Sequence, residues 1–306
     1  MFIISVLFLL LKRKGKGSYI RQIIIVIILF VLNLRIMVRS DDVPMVMPNV
    51  DVLFVVDNTI SMLAEDYGDD NDKRMDAVKA DCQYITEQLS GASFSLVKFD
   101  DSVEQMIPYT VDANMLIDTV GLLHGPTEYY AKGTSFNKIM SNMKTLLSDE
   151  RGNYKIIFFI SDGEMTSEEE LKSYDGLAQL VDGGAVLGYG TTTGGPMRPF
   201  KYAEDGEIGE YLYHYNEEFE KTRSLSKIDE GNLKKIATDF GVDYVHMTKR
   251  TAIDHIIKEL QSDINNLEMT QDLDSKEGYE DTYYLLIIPV LILLVIDCIS
   301  YKRKVC

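Results

Sequence analysis

The sequence has few of the residues that build disulfide frameworks, zinc sites or nucleophilic active sites. It contains three cysteines, four histidines and no tryptophan in 306 residues. Only Cys82 lies outside the C-terminal apolar run and tail, which excludes a disulfide framework for the central part of the chain. The histidines are dispersed, and no His-Glu-x-x-His or Cys-x-x-Cys pattern accompanies them, so the sequence predicts no zinc site.

Motifs of enzymatic catalysis are missing as well. The sequence has no Gly-x-Ser-x-Gly elbow, no glycine-rich phosphate-binding loop with a lysine, and no Cys/His pair suited to nucleophilic attack. We therefore predict that the protein is not an enzyme. A hydrolase that acts on cell-envelope material without a recognised motif stays open as an alternative.

Basic residues are scarce in the middle of the chain. Residues 40–282 hold 47 of the 48 Asp and Glu residues but only 21 of the 31 Lys and Arg residues. A surface of this charge repels nucleic acid and anionic lipid, so we predict no nucleic-acid partner. The charge suits cations or a basic partner, although solubility alone explains it equally well.

Two apolar runs flank this acidic part. Residues 20–38 would reach about 28 Å as a helix, and residues 283–300 form a second run that is closed by a basic tail. Because Lys and Arg lie before the first run and after the second, the basic stretch within residues 1–19 and the tail 301–306 are predicted to be cytoplasmic, whereas the short apolar segment 1–11 stays unassigned. We thus predict two anchors in the plasma membrane, with the acidic part outside the cytoplasm. A cleaved signal peptide is the alternative for the first run, but no small-x-small cleavage site follows it.

Short apolar runs alternate with helical patterns between the two predicted anchors. The runs are rich in β-branched and aromatic residues and occupy 52–56, 94–99, 155–160, 185–190 and 243–247. Apolar residues between and after them recur at helical spacing, for example Met75, Val78, Cys82 and Ile85. This alternation predicts a doubly wound α/β fold, a mainly parallel sheet with helices on both faces, over residues 41–267.

Polar residues follow the first and third runs, where the fold predicts a ligand site. Asp57, Thr59 and Ser61 stand at alternate positions behind the first run, and Asp162 follows the third. Thr134 stands just before the helical pattern that begins near Phe136. Hydroxyl and carboxylate oxygens are the ligands that hard divalent cations prefer. Taken alone, the first three residues could equally cap a helix or close a turn, but the additional loops favour a metal site.

These three loops resemble the metal-ion-dependent adhesion site of the von Willebrand factor A family. That site combines Asp-x-Ser-x-Ser, a distant threonine and an Asp-Gly pair, and its counterparts here are Asp57, Thr59, Ser61, Thr134 and Asp162. Thr59 departs from the usual serine but keeps the hydroxyl. The resemblance implies a Rossmann-like fold and a bound Mg²⁺, with Mn²⁺ or Ca²⁺ as alternatives. It also implies that an acidic side chain of a partner protein completes the metal's coordination.

Further segments resemble the Bat-type, membrane-anchored bacterial branch of that family. They include "SMLAED", "KRMDAVK", "VKFDDSVEQMIPYTVD" and "LGYGTTTGGP". The branch is associated with cell-envelope stress tolerance, so the resemblance implies other Bat-type membrane proteins and a MoxR-type ATPase system as partners. The leading hypothesis is a membrane-anchored module for metal-dependent protein binding. The alternative is a structural subunit of a membrane complex with a vestigial metal site.

Two segments of the outer part remain. Residues 191–230 form a long connection in which the alternation "EYLYHY" predicts a β-hairpin, either for recognition or for ordinary packing. Residues 268–282 are acidic and are predicted to link the domain to the second anchor.

Overall fold

The computed structural model describes residues 16–33, 37–39, 50–130, 136–148, 152–165, 170–174, 176–202, 207–270, 279–281 and 283–305. The chain divides into two units. One comprises residues 46–273 and the other comprises the two ends of the chain, 1–45 and 274–306.

A six-stranded sheet forms the centre of the unit of residues 46–273. In chain order its strands are β1 (Val50–Asp57), β2 (Ser93–Phe99), β3 (Val103–Thr110), β4 (Tyr154–Ser161), β5 (Gly183–Gly188) and β6 (Asp243–His246). Their spatial order is β6-β5-β4-β1-β2-β3. All neighbouring strands are parallel except β3, which pairs antiparallel with β2 at one edge. The predicted mainly parallel sheet is confirmed.

Helices cover both faces of the sheet, as predicted. They are α1 (Arg74–Gln88), α2 (Ala113–Gly121), α3 (Phe136–Leu147), α4 (Glu230–Phe240) and α5 (Asp254–Thr270). Alternate residues of β1 point to opposite faces, so Val52 and Phe54 pack with α1, α2 and α5, while Leu53 and Val55 pack with α3 and α4. Two buried cores therefore hold the central strands from both sides, which explains why β1 is apolar at nearly every position.

The antiparallel edge strand β3 was not among the predicted strands. It contains Pro108 and the exposed residues Glu104 and Gln105, and its register with β2 shifts near Leu96. Proline and polar side chains are tolerated at a sheet edge because one side of the strand needs no ladder partner. The composition of this segment therefore does not identify it as a strand.

The connection between β5 and α4 folds into short antiparallel ribbons. These pair Gly195–Pro196 with Leu225–Ser226, Phe200–Tyr202 with Glu207–Ile208, and Tyr213–Tyr215 with Lys221–Arg223. A further small ribbon, Glu65–Tyr67 with Asp72–Lys73, lies between β1 and α1. The hairpin predicted from "EYLYHY" is confirmed, and the connection is here called the insertion (residues 191–228).

The terminal unit contains two helices, Lys16–Asn33 and Tyr283–Val305. Next to them, Met37–Arg39 pairs antiparallel with Tyr279–Asp281. The predicted anchors at 20–38 and 283–300 fall largely on these helices. Over the part of the chain that the structure describes, however, no helix has the length and apolar character needed to cross a membrane.

Candidate metal centre

Four of the five predicted site residues meet at the carboxyl ends of two neighbouring strands. Strand β1 ends at Asp57 and the adjacent parallel strand β4 ends at Ser161, just before Asp162. Asp57, Asp162, Thr59 and Ser61 are all buried. Thr134, the fifth residue, lies outside the described residues. We call this part of the sheet the carboxyl edge.

A chain of short hydrogen bonds orders the loop after β1. The Thr59 hydroxyl donates to Asp57 Oδ1 at 2.6 Å, and its oxygen lies 2.8 Å from Ser61 Oγ. The Thr59 backbone N–H also donates to Asp57 Oδ1, at 3.0 Å. From the neighbouring strand, the Ser161 hydroxyl donates to Asp57 Oδ2 at 2.6 Å. The oxygens of the predicted motif therefore face one another.

The rival interpretation of this loop as a helix cap does not hold for Thr59. Thr59 precedes a short 3₁₀ turn, Ile60–Leu63, but its side chain makes no capping hydrogen bond to that turn. Its hydroxyl points back to Asp57 instead. The turn-closing interpretation is correct in part, because Asp57 accepts the backbone N–H two residues ahead, as Asx-turns do.

Burial disfavours the ionised form of both carboxylates, and the charge of Asp162 disfavours that of Asp57 further. Burial, followed by repulsion from Asp162, raises the pKa of Asp57 to about 7. Burial also raises the pKa of Asp162, while the neighbouring Arg74 guanidinium and a hydrogen bond from Ser61 oppose that rise. A cation near two buried acids would favour their ionised forms.

The chemistry of these donors fits a hard divalent cation. The site offers carboxylate oxygens from Asp57 and Asp162 and hydroxyl oxygens from Thr59 and Ser61, all of which are buried. Oxygen-only donor sets suit Mg²⁺ and Mn²⁺ better than softer metals. Within the described ranges, no cluster of three or more His, Cys, Asp or Glu side chains is arranged to hold a metal. A metal at the carboxyl edge would thus depend on the hydroxyls as much as on the carboxylates.

A fully buried arginine lies beside these acids, and sequence reasoning did not single it out. The Arg74 guanidinium donates to Asp66 through Nε at 2.7 Å and through Nη2 at 2.8 Å. Its Nη1 donates to Asp162 Oδ2 at 2.8 Å and to Ser226 Oγ at 2.9 Å. Burial alone would lower the pKa of Arg74, but hydrogen bonds and ion pairs with its carboxylate partners raise it. Burial alone would raise the pKa of Asp66, but its hydrogen bonds and ion pair with Arg74 lower it. The side chain is a fixed positive charge at the carboxyl edge.

The surrounding backbone is shaped to hold this guanidinium. Gly190 has a φ of +116°, and a Cβ added there would lie 2.5 Å from Arg74 Cζ. The next residue, Thr191, donates to Asp66 from its backbone N–H at 2.9 Å. At the other end of the insertion, the Ser226 carbonyl accepts from Arg74 Nη2 at 2.9 Å. Arg74 therefore joins both ends of the insertion to the carboxyl edge.

The Asp-Gly pair after β4 is fixed against the start of α4. Gly163 has a φ of +74°, and a Cβ there would lie 2.3 Å from the Asp229 carbonyl oxygen. The Asp229 N–H donates to the Asp162 carbonyl at 2.8 Å, and Asn232 Nδ2 donates to the Gly163 carbonyl at 3.0 Å. Only glycine combines this positive φ with such a close approach, which accounts for the Asp-Gly sequence.

Comparison with known proteins finds a family model that matches the part of the chain that holds these loops. Residues 52–164 match the family model of the von Willebrand factor type A domain. The matched range includes most of β1, all of β4 and all five residues of the predicted site. Among proteins of curated function, none matches the sequence.

Two solved structures share the fold. One is BatB from Bacteroides thetaiotaomicron, a conserved hypothetical protein that is 20% identical to this chain, with a TM-score of 0.54. The match covers 71% of this chain and 99% of the BatB chain. An aerotolerance-related membrane protein from Bacteroides fragilis, crystallised with multiple mutations to serine, is 18% identical with the same TM-score and the same coverage of 71% and 99%. At these identities the likeness establishes the fold.

Proposed function

Because residues 52–164 match the model of the von Willebrand factor type A domain, we propose that the chain binds a partner protein through a divalent cation at its carboxyl edge. Asp57, Thr59, Ser61, Thr134 and Asp162 would hold the cation, with Mg²⁺ as the preferred ion and Mn²⁺ or Ca²⁺ as alternatives. When bound, the cation would supply positive charge and a free coordination position for an acidic side chain of the partner. The protein's own role is to bind and orient, without catalysis.

The observation that carries this proposal is the meeting of two buried carboxylates with two hydroxyls. Asp57 and Asp162 are both fully buried, and burial together with repulsion from Asp162 raises the pKa of Asp57. Thr59 and Ser61 place their oxygens 2.8 Å apart beside them. An arrangement that only terminated a strand would not need to bury two acids side by side, because buried ionised groups require compensation.

Calorimetric titration of the purified chain with Mg²⁺ and Mn²⁺ tests the metal site. We expect saturable binding that Asp57→Ala abolishes, because that change removes a carboxylate from the donor set. Asp118→Ala is the matched control, since Asp118 is exposed on α2 and should leave binding unchanged. Equal binding by the parent and the Asp57 variant would overturn the proposed site.

A structural role with a vestigial metal site is the second candidate. It is favoured by the 2.8 Å ion pair between Arg74 and Asp162, because one of the two carboxylates already has a cation. In that case neither the parent nor Asp57→Ala would bind metal. Asp162→Ala would also leave assembly into a membrane complex and envelope stress tolerance unchanged.

We further propose that the terminal unit attaches the domain to the plasma membrane, with the basic flank of each apolar run and the C-terminus in the cytoplasm and the domain outside. The support is the basic flanks of residues 20–38 and 283–300 and the resemblance to membrane-anchored Bat-type proteins, with a MoxR-type ATPase system among the expected partners. Cys306, near the basic tail, gives a direct test. A membrane-impermeant maleimide should label it only after the cells are permeabilised, and labelling in intact cells would refute this topology.

A further inference from the structure

The hairpin of the insertion presents an unusual combination of side chains on one face. Its strands, Tyr213–Tyr215 and Lys221–Arg223, are exposed at every position. Tyr213 pairs with Arg223 and Tyr215 pairs with Lys221, whereas His214 pairs with Thr222. Because side chains alternate along a strand, the two tyrosines and the two cations share one face.

Contacts between rings and cations order this face. Lys221 Nζ lies 4.2 Å from the centre of the Tyr213 ring, and Arg223 Cζ lies 4.5 Å from the centre of the Tyr211 ring. Arg198 also stacks on Tyr211, at 5.0 Å. Stacking restricts the long cationic side chains while their charges stay at the surface. The face thus holds two ordered cations, Lys221 and Arg223, that can meet negatively charged groups beyond the exposed glutamates of the hairpin's own turn, Glu217, Glu218 and Glu220.

The first strand of the hairpin is attached to the segment that follows the predicted metal loop. The Tyr211 hydroxyl donates to Glu65 Oε2 at 2.8 Å, and Arg198 forms an ion pair with Glu65 at 2.8 Å. Glu65 stands four residues after Ser61 in the sequence. In addition, Ala64 forms an isolated backbone bridge with Met197. The row of rings and cations therefore starts beside the metal loop.

The second strand returns to the carboxyl edge through Arg74. Only two residues separate Arg223 from Ser226, so their Cα atoms lie at most about 10 Å apart. Ser226 accepts from the Arg74 guanidinium, which also donates to Asp162. Both strands are thus fixed to residues next to the proposed cation site.

We propose that Tyr211, Tyr213, Tyr215, Lys221 and Arg223, here called the tyrosine–cation strip, form a second contact surface for the partner bound at the cation. We further propose that this partner presents an extended acidic segment. The inference rests on the proposed function, because the same partner would supply the carboxylate at the carboxyl edge.

The spacing of the strip selects an extended peptide as its ligand. Lys221 and Arg223 are two residues apart in one strand, which separates their Cα atoms by about 6.6 Å. Carboxylates at alternate positions of an extended peptide have the same spacing, so each can meet one cation. Tyrosine and arginine are also the residue types that contribute most to protein interfaces. Tyr215, which is 71% exposed, offers apolar contact area beside the two charges.

Fluorescence anisotropy with the full-length chain in detergent micelles and Mg²⁺ tests the strip. The probe is a labelled peptide with Asp or Glu at alternate positions, and its comparison peptide carries Asn and Gln instead. We expect the acidic peptide to bind more tightly. The double change Lys221→Gln and Arg223→Gln should weaken its binding roughly 5- to 20-fold, because two exposed charge pairs are lost.

The matched control is the double change Lys144→Gln and Lys258→Gln, which removes the same charge from exposed positions on α3 and α5. It should alter the affinity less than about twofold. A charge swap gives a stricter test, because the variant with Lys221→Glu and Arg223→Glu should gain affinity for a lysine version of the peptide. A merely structural role of these residues would not produce that reversal.

The variants also separate this inference from the proposed function. If Asp57→Ala abolishes binding and the hairpin variant does not weaken it, the strip is overturned and the cation site stands. If EDTA and Asp57→Ala leave peptide binding unchanged, the strip does not act together with the cation and the inference is overturned. Equally tight binding of a single-stranded DNA of matched charge would also overturn it, because the strip would then select any polyanion.

Discussion

Replacement of Arg74 by methionine should destabilise the domain more than the loss of any exposed charge. Methionine keeps much of the apolar length of the side chain and removes the guanidinium. Asp66 and Asp162, whose side chains are 6% and 0% exposed, would then lose their ion pair. Breaking a buried ion pair from one side costs about 3–5 kcal/mol, because the remaining charge stays buried without compensation. We expect the upper part of that range, since two carboxylates are affected.

The measurement is urea unfolding of a fragment comprising residues 46–273, which contains both cores. Lys234→Met is the control, because Lys234 forms an exposed ion pair with Glu230 one helical turn away, and such pairs contribute about 0.3–0.5 kcal/mol. Arg74→Lys should fall between the two, since an ammonium cannot donate to Asp66 from two directions. A loss below about 1 kcal/mol for Arg74→Met, with an unchanged dependence on urea, would refute this account.

Three further predictions concern the interior. Gly190→Ala should lower the free energy of unfolding by about 1–3 kcal/mol in the same measurement, because the φ of Gly190 is +116° and the new Cβ would meet Arg74. Gly121→Ala is the control and should leave the free energy of unfolding unchanged, because the space around its Cβ is open. Cys82 should stay unmodified by thiol reagents until the protein unfolds, because burial raises the pKa of its thiol far above neutrality; modification of the native protein, located by mass spectrometry, would contradict this. Phe159→Ala should lower the free energy of unfolding by about 3–5 kcal/mol, since Phe159 packs against three other phenylalanine rings in a buried core. A loss under about 1 kcal/mol would mean that the neighbouring side chains move in to fill the cavity.

The main sheet could be predicted because most of its strands are recognisable as short apolar runs in the sequence. β1 and β4 are buried on both faces, so their sequences are almost continuously apolar and stand out from the polar segments around them. β3 carries no such signal, because an edge strand needs neither continuous apolar character nor every backbone hydrogen bond. In the insertion, the alternation of "EYLYHY" predicted one hairpin. The other ribbons are only two or three residues long, and strands of that length leave almost no periodicity to detect.

The predicted site residues share a simple physical rule. Asp57 and Asp162 each follow a strand of one parallel sheet, and the carboxyl ends of such strands lie at one edge. Arg74 follows no such rule, because its partner Ser226 is 152 positions away in the sequence. One local signal did exist. Arg74 occupies the apolar stripe of α1 with Val78 and Ile85, and a cation in that stripe must find buried carboxylates.

The charges near Arg74 bear on the choice between the two candidate functions. Arg74 forms ion pairs with Asp66 and Asp162, and Asp57 is buried close enough to Asp162 to be repelled by it. Asp66 meets the Arg74 guanidinium through two hydrogen bonds and Asp162 through one, so Arg74 chiefly balances Asp66. The negative charges of Asp57 and Asp162 then remain when both are ionised, and Glu164, which also interacts with Arg74 and Asp162, adds to them.

We therefore expect Arg74 to order the carboxyl edge without replacing a metal ion. It follows that Mg²⁺ should stabilise the parent domain against unfolding by about 2.7 kcal/mol at one hundred times its dissociation constant, because ligand binding to the folded state alone shifts the equilibrium by that amount. Asp57→Ala should lose this gain, and Asp118→Ala should keep it. If the parent domain gains nothing from saturating Mg²⁺, the remaining charges are compensated in another way and the vestigial site is the better explanation.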